Sequence, residues 1–145
     1  MTDEGTFFWT PPKMSVAADV VVIARFDDGL RVLLVVRRND PFKGMWAIPG
    51  GFVEQDEDLE DAARRELHEE TGLILGHLHE VGVFGKPGRD PRGRTVSVVY
   101  SAFVDGDVVA PMAGDDAEAV AWFPVGALPP LAFDHAEVLA RVLAR

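Results

Sequence analysis

Three features of the chain predict the α/β (α+β mixed) class, a mixed β-sheet covered by helices. Several Val- and Ile-rich runs have strand length, two stretches space their apolar residues as a helix does, and the two kinds do not alternate as regular βαβ units. The chain has 145 residues, of which 48% are hydrophobic and 26% charged, enough to bury a core and ordinary for a globular domain. No internal repeat, low-complexity tract or long linker divides it, so one domain over 1–145 is expected, with 1–13 as an N-terminal extension.

Taken in order, Thr10-Pro11-Pro12-Lys13 separates an aromatic head (Phe7, Phe8, Trp9) from the body. Ser15 to Arg25 reads as a strand, Asp27-Asp28-Gly29 as a turn, and Leu30 to Val36 as a second strand, so the pair resembles a hairpin. Trp46 to Gly51 is short and apolar and then turns at Pro49-Gly50-Gly51. Leu59 to Thr71 is predicted as a helix, with Leu59, Ala62, Ala63 and Leu67 on one face, Glu66 and Glu70 on another with Glu69 beside them, and Gly72 as its C-cap. His79 to Phe84 reads as a strand, Lys86 to Gly93 as a Pro- and Gly-bearing loop, and Thr95 to Val104 as a strong strand. Ala110 to Glu118 reads as an acidic loop and Ala119 to Phe123 as a short strand. Asp134 is expected to cap a last helix in which Val138, Leu139, Val142 and Leu143 recur at helical spacing.

Charge narrows the function classes. At a net charge of −10 the chain repels a polyanion, so nucleic acid is not an expected partner. With no cysteine, disulfides and thiolate metal sites are excluded. No apolar run has the length of a membrane span and Met1 to Thr6 lacks a basic targeting region, so no membrane association and a cytoplasmic location are expected. The four histidines (His68, His77, His79, His135) show no zinc spacing, and surface or capping roles are their default.

The predicted helix carries the chemistry. Glu66 lies three residues before Glu69 and four before Glu70, and like charges at those spacings destabilise a helix by a few tenths of a kcal/mol per pair. Arg65, four before Glu69, offsets part of that. A hard divalent cation reverses the penalty, because Mg²⁺ and Mn²⁺ prefer carboxylate oxygen. Gly50 and Gly51 let backbone approach the same ion closely. The competing reading is a solvated acidic face, which describes most charge runs. The Pro-Gly-Gly turn and the arginine count against it here.

The stretch Gly51 to Leu73 resembles the Nudix box, GX5EX7REUXEEXGU with U aliphatic. Gly51, Glu57, Arg65, Glu66, Leu67, Glu69, Glu70, Gly72 and Leu73 fill all nine specified positions, and Lys43 to Gly50 resembles the usual lead-in. The resemblance implies an α/β/α sandwich with a mixed central sheet, the box forming a loop-helix-loop within it. It implies Mg²⁺-dependent hydrolysis (Mn²⁺ a substitute) of a nucleoside diphosphate linked to another group. Glu66, Glu69 and Glu70 are its expected metal ligands, with the Gly50 carbonyl as a further one. Arg65 is expected to orient a box carboxylate, and Gly51, Glu57 and Gly72 to be structural. Family members place the general base either on a box glutamate, here Glu66 or Glu69, or on a later acidic loop, here Asp115, Asp116 or Glu118; both stay open.

A second region bears on substrate. Arg89, Arg92 and Arg94 fall within six residues of an otherwise acidic chain, and arginine suits bidentate phosphate recognition. With Arg37 they are the candidate substrate contacts, against the plain alternative of a turn with scattered surface charge. This loop, the lead-in from Asp40 to Trp46 and the tail from Leu131 to His135 resemble the bacterial ADP-ribose pyrophosphatase-like branch. ADP-ribose is then the expected substrate, with AMP and ribose 5-phosphate as products. The proline that larger ADP-ribose hydrolases carry fifteen residues beyond the box is out of register, since Pro87 stands fourteen beyond Leu73. Phe7, Phe8, Trp9, Phe42 and Phe84 are candidates to stack an adenine, while Trp46 is assigned to the core. Alternative substrates are oxidised nucleoside triphosphates or dinucleoside polyphosphates. The non-enzyme alternative is an ADP-ribose-sensing domain; such regulators add a DNA-binding winged helix, for which these 145 residues leave no room, and often have degraded boxes. The resemblance also makes a homodimer an expectation.

Overall fold

The computed structural model describes residues 8–106, 111 and 117–144. Phe7 and the loop acids Asp115 and Asp116 lie outside the described residues. The elements in chain order are β1 (Ser15–Phe26), β2 (Gly29–Arg37), β3 (Trp46–Ala47), β4 (Gly50–Phe52), α1 (Leu59–Thr71), β5 (His79–Phe84), β6 (Thr95–Asp105), β7 (Ala117–Pro124) and α2 (His135–Leu143). The seven strands form one sheet of order β3-β2-β1-β6-β5, with β4 paired to β1 and β7 to β2. β1 and β6 run parallel, from Ser15 opposite Thr95 to Arg25 opposite Asp105. The other pairings are antiparallel, so the sheet is mixed.

β1 explains the layering. Its residues 17–24 are all buried, as befits a strand with cover on both faces, and its side chains alternate between two cores. Ala18, Val20 and Val22 join Leu33, Ala62, Ala63 and Leu67 under α1. Val21 and Ile23 join Val32, Leu34, Val138, Leu139 and Val142 under α2. The result is the expected α/β/α sandwich. Trp46 packs against the second core, with its ring edge-on to Phe123 at 4.7 Å.

The hairpin and the first helix follow local rules. β1 and β2 pair through Phe26 and Gly29 around the Asp27-Asp28 turn. α1 starts at Asp58, whose carboxylate accepts from the Leu59 N–H at 2.7 Å, and stops at Gly72, whose φ of +76° suits a residue without a Cβ. Two expectations need correction. Asp134 stands at the N-cap position of α2 but makes no capping hydrogen bond, because its carboxylate is drawn to Arg89 instead. Glu118 lies in strand β7 rather than a loop, at a register shift: Val36 faces Ala119 and Arg37 faces Ala117, which leaves Glu118 as the extra residue. Among the described residues, no helix is long and apolar enough to cross a membrane.

Leu67 is fully buried at the centre of the α1 core, so Leu67→Ala should cost about 2–5 kcal/mol in urea unfolding. Ile74→Ala, at a side chain 82% exposed just past the same helix, should stay within about 0.5 kcal/mol of the parent.

Candidate active site

The site begins with two glycines squeezed from opposite sides. Strand pairing sets Gly50 opposite Asp19 and Gly51 opposite Ala18. A methyl group on Gly50 would overlap the Asp19 carboxylate and the β1 backbone; one on Gly51 would overlap the carboxylate of Glu66. Only glycine lets β4 lie this close to both β1 and α1. On the helix side, the Gly50 N–H donates to Glu70 Oε1 at 2.9 Å, and Glu70 is buried. Glu66 and Glu70 thus both face the turn and line a cleft of about 270 Å³ with Arg37, Arg38 and Asn39.

Arg65 ties the acids together. Its Nε and Nη2 donate to the two oxygens of Glu57 at 2.6 and 2.9 Å, Nη1 donates to Glu66 at 3.0 Å and Glu69 at 3.3 Å, and Nη2 also reaches the Phe52 carbonyl at 3.1 Å. The hydrogen bonds from Arg65 hold the Glu57 carboxyl below its ordinary range. The same bonds, accepted by Glu57, push the guanidinium up. One cation therefore links the box loop, α1 and β4. Glu69 is the most open of the three glutamates, its side chain 41% exposed against 12% for Glu66.

Among the described residues no three His, Asp or Glu side chains stand ready, as placed, to hold a metal ion. The partners above explain this: Glu66 turns to Arg65 and Glu70 to the Gly50 N–H. The donor set itself fits a hard divalent ion, being carboxylate oxygen beside a backbone turn stripped of side chains.

A second cavity, about 80 Å³, opens across the same turn on the α2 side. Its lining includes Asp19, Ser97, His135 and Phe133, and it shares Arg37, Gly50, Gly51, Phe52 and Arg92 with the cleft. Asp19 is the acid inside the apolar run of β1. Burial pushes its carboxyl up to about 7, against the opposing pull of Arg89 and a hydrogen bond from Ser97. His135 corrects a default reading: it is neither on the surface nor a cap, but buried, with Nδ1 accepting from the Ile48 N–H at 3.0 Å. Burial lowers its pKa to about 4.

The structure separates the candidate arginines. Arg89, 5% exposed, donates twice to Asp134 at 2.9 and 2.7 Å and once to Ser97 Oγ at 2.8 Å, so it lines the cavity as a cross-link from loop to helix. Arg92 pairs with buried Asp90 and lies over the rings of Phe52 and Phe133 at 4.6 and 5.3 Å. Burial alone would raise the Asp90 carboxyl, but the Arg92 side chain and N–H outweigh it and hold it low. Arg94 turns away to the Gly85 carbonyl. Arg37 donates to the carbonyls of Pro41 at 2.7 Å and Asn39 at 3.4 Å, and lines both cavity and cleft. Of the stacking candidates, Phe84 is core, Phe42 packs edge-on to Phe133, and Phe8 and Trp9 are exposed. Asp19, Ser97, Phe52 and Phe133 escaped the sequence reading. Asp19 had a signal, an acid amid Val and Ala, and Phe133 stood within the Leu131–His135 tail; Ser97 and Phe52 had none.

Comparison with known proteins adds to this geometry. The family model of the NUDIX domain matches residues 15–143. The chain belongs to the Nudix family. It is 47% identical over 109 residues to an ADP-ribose pyrophosphatase of Methanocaldococcus jannaschii, an overlap of 75% of this chain and 63% of that one. It is 36% identical over 138 residues to the ADPR responsive transcriptional repressor NtrR of Acinetobacter baylyi, covering 92% and 55%. The Nudix chain therefore spans under two thirds of either relative. Among solved structures, the NUDIX domain of Shewanella oneidensis NrtR complexed with ADP ribose superposes with a TM-score of 0.86 at 32% identity, over 99% of this chain and 92% of that one. A MutT/nudix family protein from Enterococcus faecalis gives 0.89 at 32%, over 97% and 65%.

Two outcomes test this Nudix site. Gly51→Ala should destabilise the fold by about 1–3 kcal/mol through overpacking, and adding Glu66→Ala should recover part of that loss by removing the atoms it strikes. For His135 the folded pKa lies below the unfolded value, so its neutral form supports the fold. That support is complete above pH 6.5 and is lost as pH falls toward 4, on the order of 3 kcal/mol. Asp19, with its carboxyl raised to about 7, acts in the opposite sense over this range, so the difference is what is read: in urea titrations from pH 7.5 to 4 the parent should lose about this much stability relative to His135→Asn.

Proposed function

We propose that this protein is a Mg²⁺-dependent pyrophosphohydrolase acting on a nucleoside diphosphate derivative, with ADP-ribose as substrate and AMP and ribose 5-phosphate as products. The observation that carries the reading is the apposition of Glu66 and Glu70 to the side-chain-free Gly50-Gly51 turn, with Arg65 holding Glu66 and Glu69 from behind. The 47% identity to an ADP-ribose pyrophosphatase and the likeness to a domain complexed with ADP ribose support the choice of substrate.

In this reading Glu66, Glu69, Glu70 and the Gly50 carbonyl would hold the divalent cation. Such an ion would supply charge neutralisation for the pyrophosphate and a lowered pKa for a bound water. Water adds to one phosphorus, the P–O–P bond breaks, and the bridging oxygen leaves on the other phosphate. Glu69, the most exposed of the three box glutamates with a single long contact to Arg65, is the candidate to take the water's proton. Arg65 keeps Glu66 turned to the cleft and balances acid that would otherwise repel the substrate. Arg37 and Arg92, at the rim shared by cleft and cavity, are placed to meet substrate phosphate. Arg89 orients the cavity wall instead.

A second reading, an ADP-ribose-sensing domain, is favoured by the 36% identity to a repressor over 92% of the chain. Turnover separates the two. Purified protein with Mg²⁺ should release AMP from ADP-ribose, read by chromatography, and lose this with EDTA. Glu70→Gln keeps an oxygen for the Gly50 N–H but removes the charge, so the fold should survive while kcat falls by about 10² or more. Absence of AMP release by the parent protein would sink the enzymatic reading, and full activity in Glu70→Gln would remove Glu70 from the metal site.

A further inference from the structure

We propose that the cavity on the α2 side of the Gly50-Gly51 turn is a subsite for a sugar bearing a vicinal diol, and that Asp19 is the residue that reads the diol. The inference rests on the pyrophosphohydrolase reading only for the position of the phosphates. The cleft with Glu66 and Glu70 and the cavity with Asp19 share the rim Arg37, Gly50, Gly51, Phe52 and Arg92. A group bonded to a phosphate in the cleft therefore enters the cavity without crossing any other element.

Size and chemistry select the group. A cavity of about 80 Å³ lies well below the 300–1,000 Å³ that enclose a whole drug-sized ligand, so it receives one part of the substrate. The aromatic rings in its wall already carry guanidinium groups, Arg92 over Phe52 and Phe133 and Arg37 over Phe133 at 4.9 Å, which competes with the stacking of a flat base. Of the charged groups in its wall, Asp90 and Arg92 pair with each other and Arg89 pairs with Asp134, which leaves the Asp19 carboxyl, beside the hydroxyls of Ser97 and Thr95, to meet an incoming group. The orientation of Asp19 and Ser97 is built in. Asp134 anchors Arg89, and Arg89 donates to Ser97 Oγ, which leaves the Ser97 hydrogen to turn toward Asp19 in the same cavity wall. Above pH 7, with its carboxyl ionised, Asp19 is the acceptor at the end of this chain. A carboxylate offers about four lone-pair sites, and one hydrogen bond from Ser97 leaves room for two adjacent sugar hydroxyls. A site built to pair a hydroxyl rejects the analogue that lacks it, since its own polar group is then left unpaired.

Calorimetric titration of the intact protein at pH 8 with ribose 5-phosphate and with 2-deoxyribose 5-phosphate tests this without turnover. The parent should bind ribose 5-phosphate at least tenfold more tightly, and Asp19→Asn should bring the two affinities within about twofold. In turnover, Asp19→Asn should raise KM for ADP-ribose about tenfold with kcat within about threefold, a split that loss of the metal platform would not produce. Urea unfolding checks that Asp19→Asn is folded. Should it not be, Ser97→Ala, which frees the Asp19 carboxyl to turn, must lower the same ratio. Equal affinity of the parent for both sugars, or binding of neither, overturns the subsite whatever the turnover result. Discrimination between the sugars that is lost in Asp19→Asn, in a protein that does not hydrolyse ADP-ribose, leaves the subsite standing and removes only the enzymatic reading.

Discussion

The site depends on the contact between the Gly50-Gly51 turn and α1. The Gly50 N–H meets Glu70, Glu66 lies against Gly51, and Arg65 reaches the Phe52 carbonyl. A hydrogen bond to a charged group contributes about 1.5–3 kcal/mol, and here several act on one short interface. Hydrophobic burial of Leu67, Ala62 and Ala63 presses the helix onto the sheet, but burial alone is non-directional. The turn supplies the direction. It sets the helix's rotation, and with it which glutamates face the cleft.

The turn also joins two layers with different electrostatic characters. On the α1 side lie acids balanced by Arg65. On the α2 side lie Arg89, Arg92 and Arg37 among Asp19, Asp90 and Asp134. In a chain of net charge −10, this flank sets three arginines against three aspartates and so departs from the acidic average. The pairing of Asp90 with Arg92 and of Asp134 with Arg89 keeps those cations in fixed positions.

What was legible in the sequence was what is local. The helix Leu59–Thr71, its Gly72 stop and the hairpin turn depend on residues a few positions apart, and their expected bounds match the structure closely. The mixed sheet covered by helices was legible too, since strand-length apolar runs and helical spacings do not alternate as βαβ units, while the sandwich came from the resemblance of the box. The role of His135 was not, because its partner Ile48 lies 87 residues away and nothing near His135 marks it as buried. Arg89 gave a misleading signal for the same reason. Spacing identifies a cluster of cations but does not reveal that a carboxylate 45 residues on will take one of them. Asp134 misled in the complementary way, since its position before the helix announces a cap while tertiary pairing claims its oxygens. The acids at 115 and 116 lie outside the described residues, and Glu118 shows how a bulge places a residue that strand and loop patterns alike misread.

The parallel pairing of β1 with β6 has a consequence for the order in which the molecule assembles. Each residue of β1 meets a partner about 80 positions later, whereas β1 and β2 meet across a two-residue turn. Closing the long loop is entropically costly and yields nothing until the strands are in register, so contacts of this kind form late and slowly. The hairpin and α1 can form first, from neighbours. The Asp19 cavity needs β6, which brings Ser97, and α2, which brings His135. The two halves of the site thus draw on different spans of the chain: the acidic platform on contacts within its N-terminal half, and the second cavity on strands and a helix that only the long-range pairing brings together.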